Sequence, residues 1–193
     1  MRSVVSFLFI ALTLVQCKPK SNGEPHILIS TSFGDIEIEL YASKAPKSVA
    51  AFLSYIDSGY YKQSAFYRVL RIEGLTGDNA GMIQGGSWQS NDPRVAAVPG
   101  IPHESTKLTG LTHTTGMVSL ARIKPGTAGT EFFICIGDQT QYDYGNDQNG
   151  DREGYAAFGK VVKGMKVVRE IQNEPTNGES FNPVVAIKSI KRL

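Results

Sequence analysis

Ile27-Leu28-Ile29-Ser30-Thr31-Ser32, then Phe33-Gly34-Asp35, then Ile36-Glu37-Ile38-Glu39-Leu40-Tyr41 is the stretch that decides the fold. Its last segment alternates apolar and acidic residues, so one face is dry and the other wet. Two β-prone runs joined through a glycine read as an antiparallel hairpin. Pro46 then opens a helix whose Val49, Phe52, Leu53 and Ile56 fall at i, i+3, i+4 and i+7, and Asp57-Ser58-Gly59 ends it.

Beyond the helix, short apolar runs alternate with glycine and proline clusters. Strands are predicted over Ala65–Leu70, Gly116–Ala121, Glu131–Ile136, Tyr155–Val162 and Val184–Leu193. A polar, glycine-rich stretch runs from Gly137 to Gly154. Gly164 to Asn173 reads as a second short helix with Met165, Val168 and Ile171 on one side. Many strands, two helices and no βαβ alternation predict an all-β fold with helices, a closed sheet capped by two helices.

The first 26 residues read differently. Arg2 precedes an apolar run from Val4 to Val15 that would span only about 18 Å as a helix, too short for a bilayer core of roughly 30 Å. The length suits a secretory signal. It ends at Leu14-Val15-Gln16-Cys17 and resembles a bacterial lipoprotein signal over residues 1–17, in which Cys17 becomes the lipidated first residue. Gln16 stands where such signals usually carry a small residue, and an ordinary cleaved signal is the alternative. Residues 18–26, with Lys18-Pro19-Lys20-Ser21-Asn22-Gly23, have linker composition, and one domain is expected over residues 27–193. The chain is then expected to be exported and held at a membrane through Cys17, facing the periplasm or the cell exterior.

Composition narrows the chemistry. The 193 residues carry 20 Lys plus Arg against 18 Asp plus Glu, a formal +2 that gives no pull on a phosphate backbone, so no nucleic acid partner is expected. The other cysteine, Cys135, lies in the apolar run Phe132-Phe133-Ile134-Cys135-Ile136 and is expected to be a buried, inert thiol. His26, His103 and His113 lack metal-ligand spacing. Gly126-Thr127-Ala128-Gly129-Thr130 lacks the lysine of a phosphate loop, and no Gly-x-Ser-x-Gly elbow occurs. Asp143, Asp147, Asn149 and Asp151 miss the register of a calcium loop and read as a solvated loop. Neither a metal nor a cofactor is expected.

What remains is a series in fixed order: Phe66-Tyr67-Arg68-Val69-Leu70, Met82-Ile83-Gln84-Gly85-Gly86, Leu120-Ala121-Arg122, Gly129-Thr130-Glu131-Phe132-Phe133-Ile134 and Gly154-Tyr155-Ala156-Ala157-Phe158-Gly159-Lys160-Val161-Val162-Lys163-Gly164-Met165. This series resembles the cyclophilin family of peptidyl-prolyl cis/trans isomerases, especially its bacterial secreted branch. The resemblance implies a closed eight-stranded antiparallel β-barrel capped by two α-helices. It also implies Arg68 as the catalytic arginine and Gln84 as a substrate-positioning amide. Met82 and Phe133 would wall a proline pocket, and the backbone of Ala121 and Arg122 would lie along the peptide. Glu131 stands in place of the family's glutamine, and Tyr155 where many members carry a pocket histidine. Gly81 stands where a phenylalanine usually lines the pocket, a gap that Tyr142 or Tyr144 could fill. The stretch Arg71–Ala80 is longer than usual, and no tryptophan occupies the register near Gln141, so cyclosporin sensitivity is expected to be weak. The only tryptophan is Trp88.

The chemistry implied needs no nucleophile, metal or cofactor. The barrier to rotation about a peptide bond is about 18–20 kcal/mol, and an X-Pro bond exchanges over tens to hundreds of seconds. In the twisted state the imide nitrogen gains a lone pair, so a nearby cationic donor is stronger there than in the planar state. The expected function is isomerisation of X-Pro bonds in exported, proline-containing polypeptides by a monomer. The alternative is a proline-peptide-binding chaperone or scaffold with weak or no isomerase activity, motivated by Gly81, by the long Arg71–Ala80 stretch and by a carboxylate, Glu131, that could occupy Arg68.

Overall fold

A computed structural model describes residues 23–72, 79–147 and 150–193. The signal, Cys17, residues 18–22, most of the long stretch after Arg71 and Asn149 lie outside the described residues. The hairpin is present as β1 (His26–Thr31) and β2 (Asp35–Leu40), with Ile29 opposite Ile36 and Ile27 opposite Ile38. The alternation has the expected effect: Ile36, Ile38 and Leu40 are fully buried, while Glu37 and Glu39 lie between them on the wetter face.

Seven further strands follow: β3 (Ala65–Ile72), β4 (Ala80–Gly86), β5 (Met117–Leu120), β6 (Phe132–Ile136), β7 (Ala156–Lys163), the two-residue β8 (Thr176–Asn177) and β9 (Ser180–Arg192). The sheet runs β1-β2-β7-β5-β6-β4-β3-β9, every neighbour pair antiparallel, and β1 pairs β9 to close it. This is the eight-stranded barrel expected, with β8 appended to β9 as a small hairpin. Strand β4 was not among the predicted strands. Its glycines lower strand propensity, yet they are what its place requires: a Cβ on Gly85 would lie 2.8 Å from the Ala65 carbonyl oxygen, and one on Gly81 only 1.9 Å from that of Leu70.

The two expected helices are α1 (Pro46–Asp57) and the last one, α4 (Met165–Gln172); two single turns, α2 (Pro93–Ala96) and α3 (Thr106–Thr109), lie between them. Helix α1 buries Val49, Phe52 and Leu53 in the barrel, where the Phe52 ring meets Tyr61, Phe132 and Phe158 at 5.3, 5.6 and 5.0 Å. Ala45 has no side chain that can cap α1. The nearly buried Glu104 serves instead, accepting from the Lys47 and Ser48 backbone N–H groups and the Ser48 hydroxyl. Helix α4 buries Val168 and Ile171, and the Arg71 guanidinium donates to the Gln172 and Glu174 carbonyls at its C-terminal end.

Residues 24–26, expected to be linker, have partners in the structure: Pro25 accepts from the Leu40 backbone N–H, the Glu24 carboxylate accepts from Ser43 just after β2, and His26 already pairs in β1. Among the described residues, no helix is long and apolar enough to cross a membrane.

Candidate active site

The site is built on one row across the sheet. Arg68 of β3 lies opposite Gln84 of β4, Gln84 opposite Phe133 of β6, and Phe133 opposite Ser119 of β5. Directly opposed residues share a face, with adjacent strands about 4.8 Å apart. Met82, two residues from Gln84, is on the same face and nearly buried. A bulge interrupts the β3–β4 register between Phe66 and Arg68. A bulge puts two residues against one on the partner strand, so Tyr67 and Arg68 both reach Gln84. The Tyr67 hydroxyl accepts from Gln84 Nε2 at 2.7 Å, and Arg68 Nη1 donates to Gln84 Oε1 at 3.2 Å. Regular alternation would send Tyr67 to the other face, so its part in the site was missed.

Arg68 has a second partner that was also missed. Its Nε and Nη2 donate to Glu179 Oε2 at 2.9 and 2.7 Å. Glu179 is presented by the β8–β9 turn, next to Gly178 at φ 59°, and its carbonyl accepts from the Val69 N–H. The carboxylate on Arg68 is therefore Glu179, not Glu131. The two side chains are 42% and 53% exposed, and a pair so exposed is worth about 0–1 kcal/mol. Glu179 takes the side of the guanidinium and Gln84 one end, which, among the described residues, leaves two of its five N–H groups without a partner.

Along the same row, on the far side of Gln84 from Arg68, Phe133 belongs to three mutually edge-on rings. Phe133 meets Tyr142 at 5.4 Å and Tyr155 at 5.2 Å, and Tyr142 meets Tyr155 at 5.4 Å, with interplanar angles of 70–87°. Edge-to-face packing is the preferred aromatic geometry. Tyr142 is thus the polar-loop aromatic that joins the wall; Tyr144 is turned to Lys107 instead. Gly81 cannot carry a wall residue: besides the clash with Leu70, its φ is 125°. Behind Phe133, the fully buried His113 ring stacks at 5.9 Å, its Nδ1 on Asp143 at 2.6 Å and its Nε2 on Ser119 at 3.1 Å. Ser119 is fully buried, so this trio supports a ring and does not expose a nucleophile. Cys135, fully buried, has its thiol pushed up by desolvation.

Arg122 was expected to contribute backbone alone; its side chain is 1% exposed and pinned. Its guanidinium lies over the Tyr155 ring at 5.2 Å and forks onto Asp151 at 2.7 and 3.0 Å, with Nε on the Gly154 carbonyl at 2.9 Å. Asp143 and Asp151 therefore have structural partners and are not simply solvated. The Arg122 hydrogen bonds, with the Glu153 N–H, lower the Asp151 carboxyl to about 2. A pKa below the unfolded value, about 3.9, stabilises the fold above that value and loses this contribution as pH falls towards 2. Asp151→Asn is expected to cost about 1–3 kcal/mol at pH 7, leaving a buried donor poorly paired. The gap between variant and wild type in urea unfolding should close as pH falls from 4 to 2; a gap unchanged by acid would refute the clamp.

Arg68, Gln84, Ala121, Arg122 and Glu131 line one open groove of about 920 Å³, together with Tyr67, Trp88, Val95 and Ile123. Trp88 and Ile123 are exposed, and Trp88 packs on Tyr67 at 5.5 Å. Glu131 reaches the groove with both oxygens already engaged, by Tyr67, Thr130 and Ser87.

Comparison with known proteins fits this geometry. A family profile described as cyclophilin type peptidyl-prolyl cis-trans isomerase/CLD matches residues 26–192. A peptidyl-prolyl cis-trans isomerase of Acinetobacter baylyi is 37% identical over 166 residues, covering 84% of this chain and 80% of that protein. Peptidyl-prolyl cis-trans isomerase A of Dickeya dadantii is 38% identical over 165 residues, covering 85% and 78%. A crystal structure of a Cryptosporidium parvum cyclophilin type isomerase is similar with a TM-score of 0.67 and 26% identity, over 88% of this chain and 98% of that one. A second structure of that protein, in the presence of the dipeptide Ala-Pro, gives a TM-score of 0.65 at 27% identity, over 86% and 97%.

Proposed function

Since this chain belongs to the cyclophilin family of peptidyl-prolyl cis-trans isomerases, we propose that it accelerates X-Pro rotation in exported polypeptides, with Arg68 as the catalytic group. The observation that carries this reading is a guanidinium oriented on one side by Glu179 and on one end by Gln84, with two N–H groups left among the described residues, on the row that leads through Gln84 to Phe133 and its ring partners Tyr142 and Tyr155. The proline ring sits against those rings and Met82. The peptide follows the Ala121–Arg122 backbone. The free N–H groups donate to the proline carbonyl and, as the bond twists, towards the imide nitrogen. Rotation moves no proton and breaks no bond, so rigidity and placement are the whole task.

Magnitudes show what the pocket must add. Going from about 10⁻² s⁻¹ to about 10³ s⁻¹ takes roughly 7 kcal/mol. One charge-assisted hydrogen bond supplies about 1.5–3 kcal/mol, so the rest comes from desolvation and from holding the peptide partly twisted. A coupled cis/trans assay on a proline tetrapeptide should show turnover well above the uncatalysed rate. Binding without turnover would favour the chaperone or scaffold reading, which Glu179 on Arg68 and the missing wall at Gly81 motivate.

The site of action belongs to the same proposal. The residue 1–17 signal and the lysines at 18 and 20 support export, lipidation at Cys17 and work as a tethered monomer in the periplasm or outside the cell. Two buried acyl chains suffice for stable anchoring where one does not. The protein should fractionate with membranes, and Cys17→Ser should release it. Membrane retention of that variant would contradict the anchor.

A further inference from the structure

Gln84 stands between a donor and a hydroxyl: the guanidinium only donates and takes the amide oxygen, whereas the hydroxyl can take either role. Arg68 Nη1 donates to Gln84 Oε1 at 3.2 Å, Gln84 Nε2 donates to the Tyr67 hydroxyl at 2.7 Å, and that hydroxyl donates to Glu131 Oε2 at 2.6 Å. The other carboxylate oxygen, Oε1, accepts from the Ser87 backbone N–H and the Thr130 hydroxyl, both at 2.9 Å. Space for the carboxylate exists because residue 86 is glycine; a Cβ there would lie 2.4 Å from Glu131 Oε2.

We propose that Glu131 is a positioning residue for Arg68: an ionised carboxylate only accepts and the guanidinium only donates, so every hydrogen bond between them can form in one direction and Gln84 is held on Arg68. The proposal rests on the reading of Arg68 as the catalytic group. Its logic is a parity argument. The Tyr67 proton must point at Glu131, which turns a lone pair to Gln84, which turns the Gln84 NH₂ to Tyr67 and its oxygen to Arg68.

Give the side chain at 131 one hydrogen and the row has a donor at each end, so one of its three hydrogen bonds must fail. The Ser87 N–H is backbone and cannot rotate, so it keeps an acceptor oxygen on its own side. The new donor then faces Tyr67 and takes its lone pair, so the Gln84 NH₂ loses its acceptor and the amide is no longer held from both sides on the guanidinium. Protonation of Glu131 and Glu131→Gln both supply that hydrogen. The glutamine variant at neutral pH should therefore resemble the wild type in acid.

The groups around Glu131 do not blur this. Burial holds its carboxyl above the usual glutamate range, against the lowering effect of its hydrogen bonds. Tyr61, from the turn before β3, and Tyr67 are pushed up by burial and stay protonated. Asp92, on the groove wall, is held low by Arg94. Glu179 faces Arg68 and not Glu131, and Glu179→Gln is the control for its titration.

The test measures kcat and KM on a proline tetrapeptide from pH 4.5 to 8, alongside the ¹⁵N resonances of the Gln84 side-chain amide. In the wild type, kcat should fall with acid through a midpoint above the ordinary glutamate range, and the Gln84 amide should move with the same midpoint. Glu131→Gln should lower kcat about three- to tenfold at pH 7, with KM nearly unchanged, and flatten both profiles. Glu131→Asp should restore the pH dependence. Tyr67→Phe, which cuts the chain without touching Ser87, should also flatten the kcat profile at a lowered level. A Glu131→Gln variant with wild-type or raised kcat, or a Gln84 amide indifferent to both pH and the variant, would overturn the proposal. A wild type with no turnover whose Gln84 amide still moves as described would instead sink the catalytic reading of Arg68 and support the direction of the chain.

Discussion

Arg68→Ala is expected to lower kcat/KM on a proline tetrapeptide by about 10²-fold, equivalent to about 2.7 kcal/mol of transition-state stabilisation. That is one charge-assisted hydrogen bond at the upper end of its range. The loss should fall mainly on kcat, because the donation strengthens as the imide twists and is weak in the planar complex. Stability should hardly change. The Arg68–Glu179 pair is half exposed, and the strand pairing on either side uses backbone groups. Arg68→Lys should recover little, since an ammonium keeps the charge and loses the fork that lets Glu179, Gln84 and substrate be served together. Exchange spectroscopy on the peptide, with the unfolding midpoint recorded in parallel, reads both quantities. Wild-type turnover in a folded alanine variant would remove the mechanism.

Phe52→Ala should cost about 3–5 kcal/mol of folding stability. The ring is fully buried at the centre of the plug that α1 puts into the barrel, and it touches aromatic rings from the turn before β3, from β6 and from β7. None of these neighbours can close the gap alone, because each is itself held by further contacts: Tyr61 by its hydroxyl on the Thr130 carbonyl, Phe132 by Tyr61 and Phe66. A loss of that size lowers the melting midpoint by about 2–4 °C per kcal/mol for a domain of this length. Phe52 takes no part in the groove, so kcat measured well below the transition should match wild type. Chemical denaturation and a low-temperature assay separate the two, and a stability change under about 1 kcal/mol would show that the plug is not what holds this end of the barrel.

The parts of the molecule governed by short-range pattern were readable in advance. The first hairpin, α1 and the last strand follow from alternation, a 3.6-residue stripe and turn residues. For the candidate site, the motifs suggested members whose wiring they could not suggest. Arg68, Gln84 and Phe133 could be named from their motifs, but Glu179 is 111 residues from Arg68, and only barrel closure brings its hairpin there. Glu131 was a candidate partner for Arg68 by proximity in the family pattern; it faces Tyr67, because the bulge in β3 puts a tyrosine between them. Arg122 could not be recognised as a clamp, since its burial depends on a loop folding back over it. Gly81 and β4 show the converse: a residue that weakens a strand by propensity is the one its crowded backbone demands.

The pairing of β1 with β9 has a mechanical consequence. Ile27 lies opposite Arg192 and the Leu193 N–H donates to the His26 carbonyl, so the start of β1 and the end of β9 lie together at one end of the seam. Pulled apart by those ends, the molecule would unzip one rung at a time from the Ile27–Arg192 pair inward, and never load the whole ladder in shear. Its softest axis thus passes through the ends of that seam, and a fusion partner placed after residue 193 would emerge beside His26, where β1 begins.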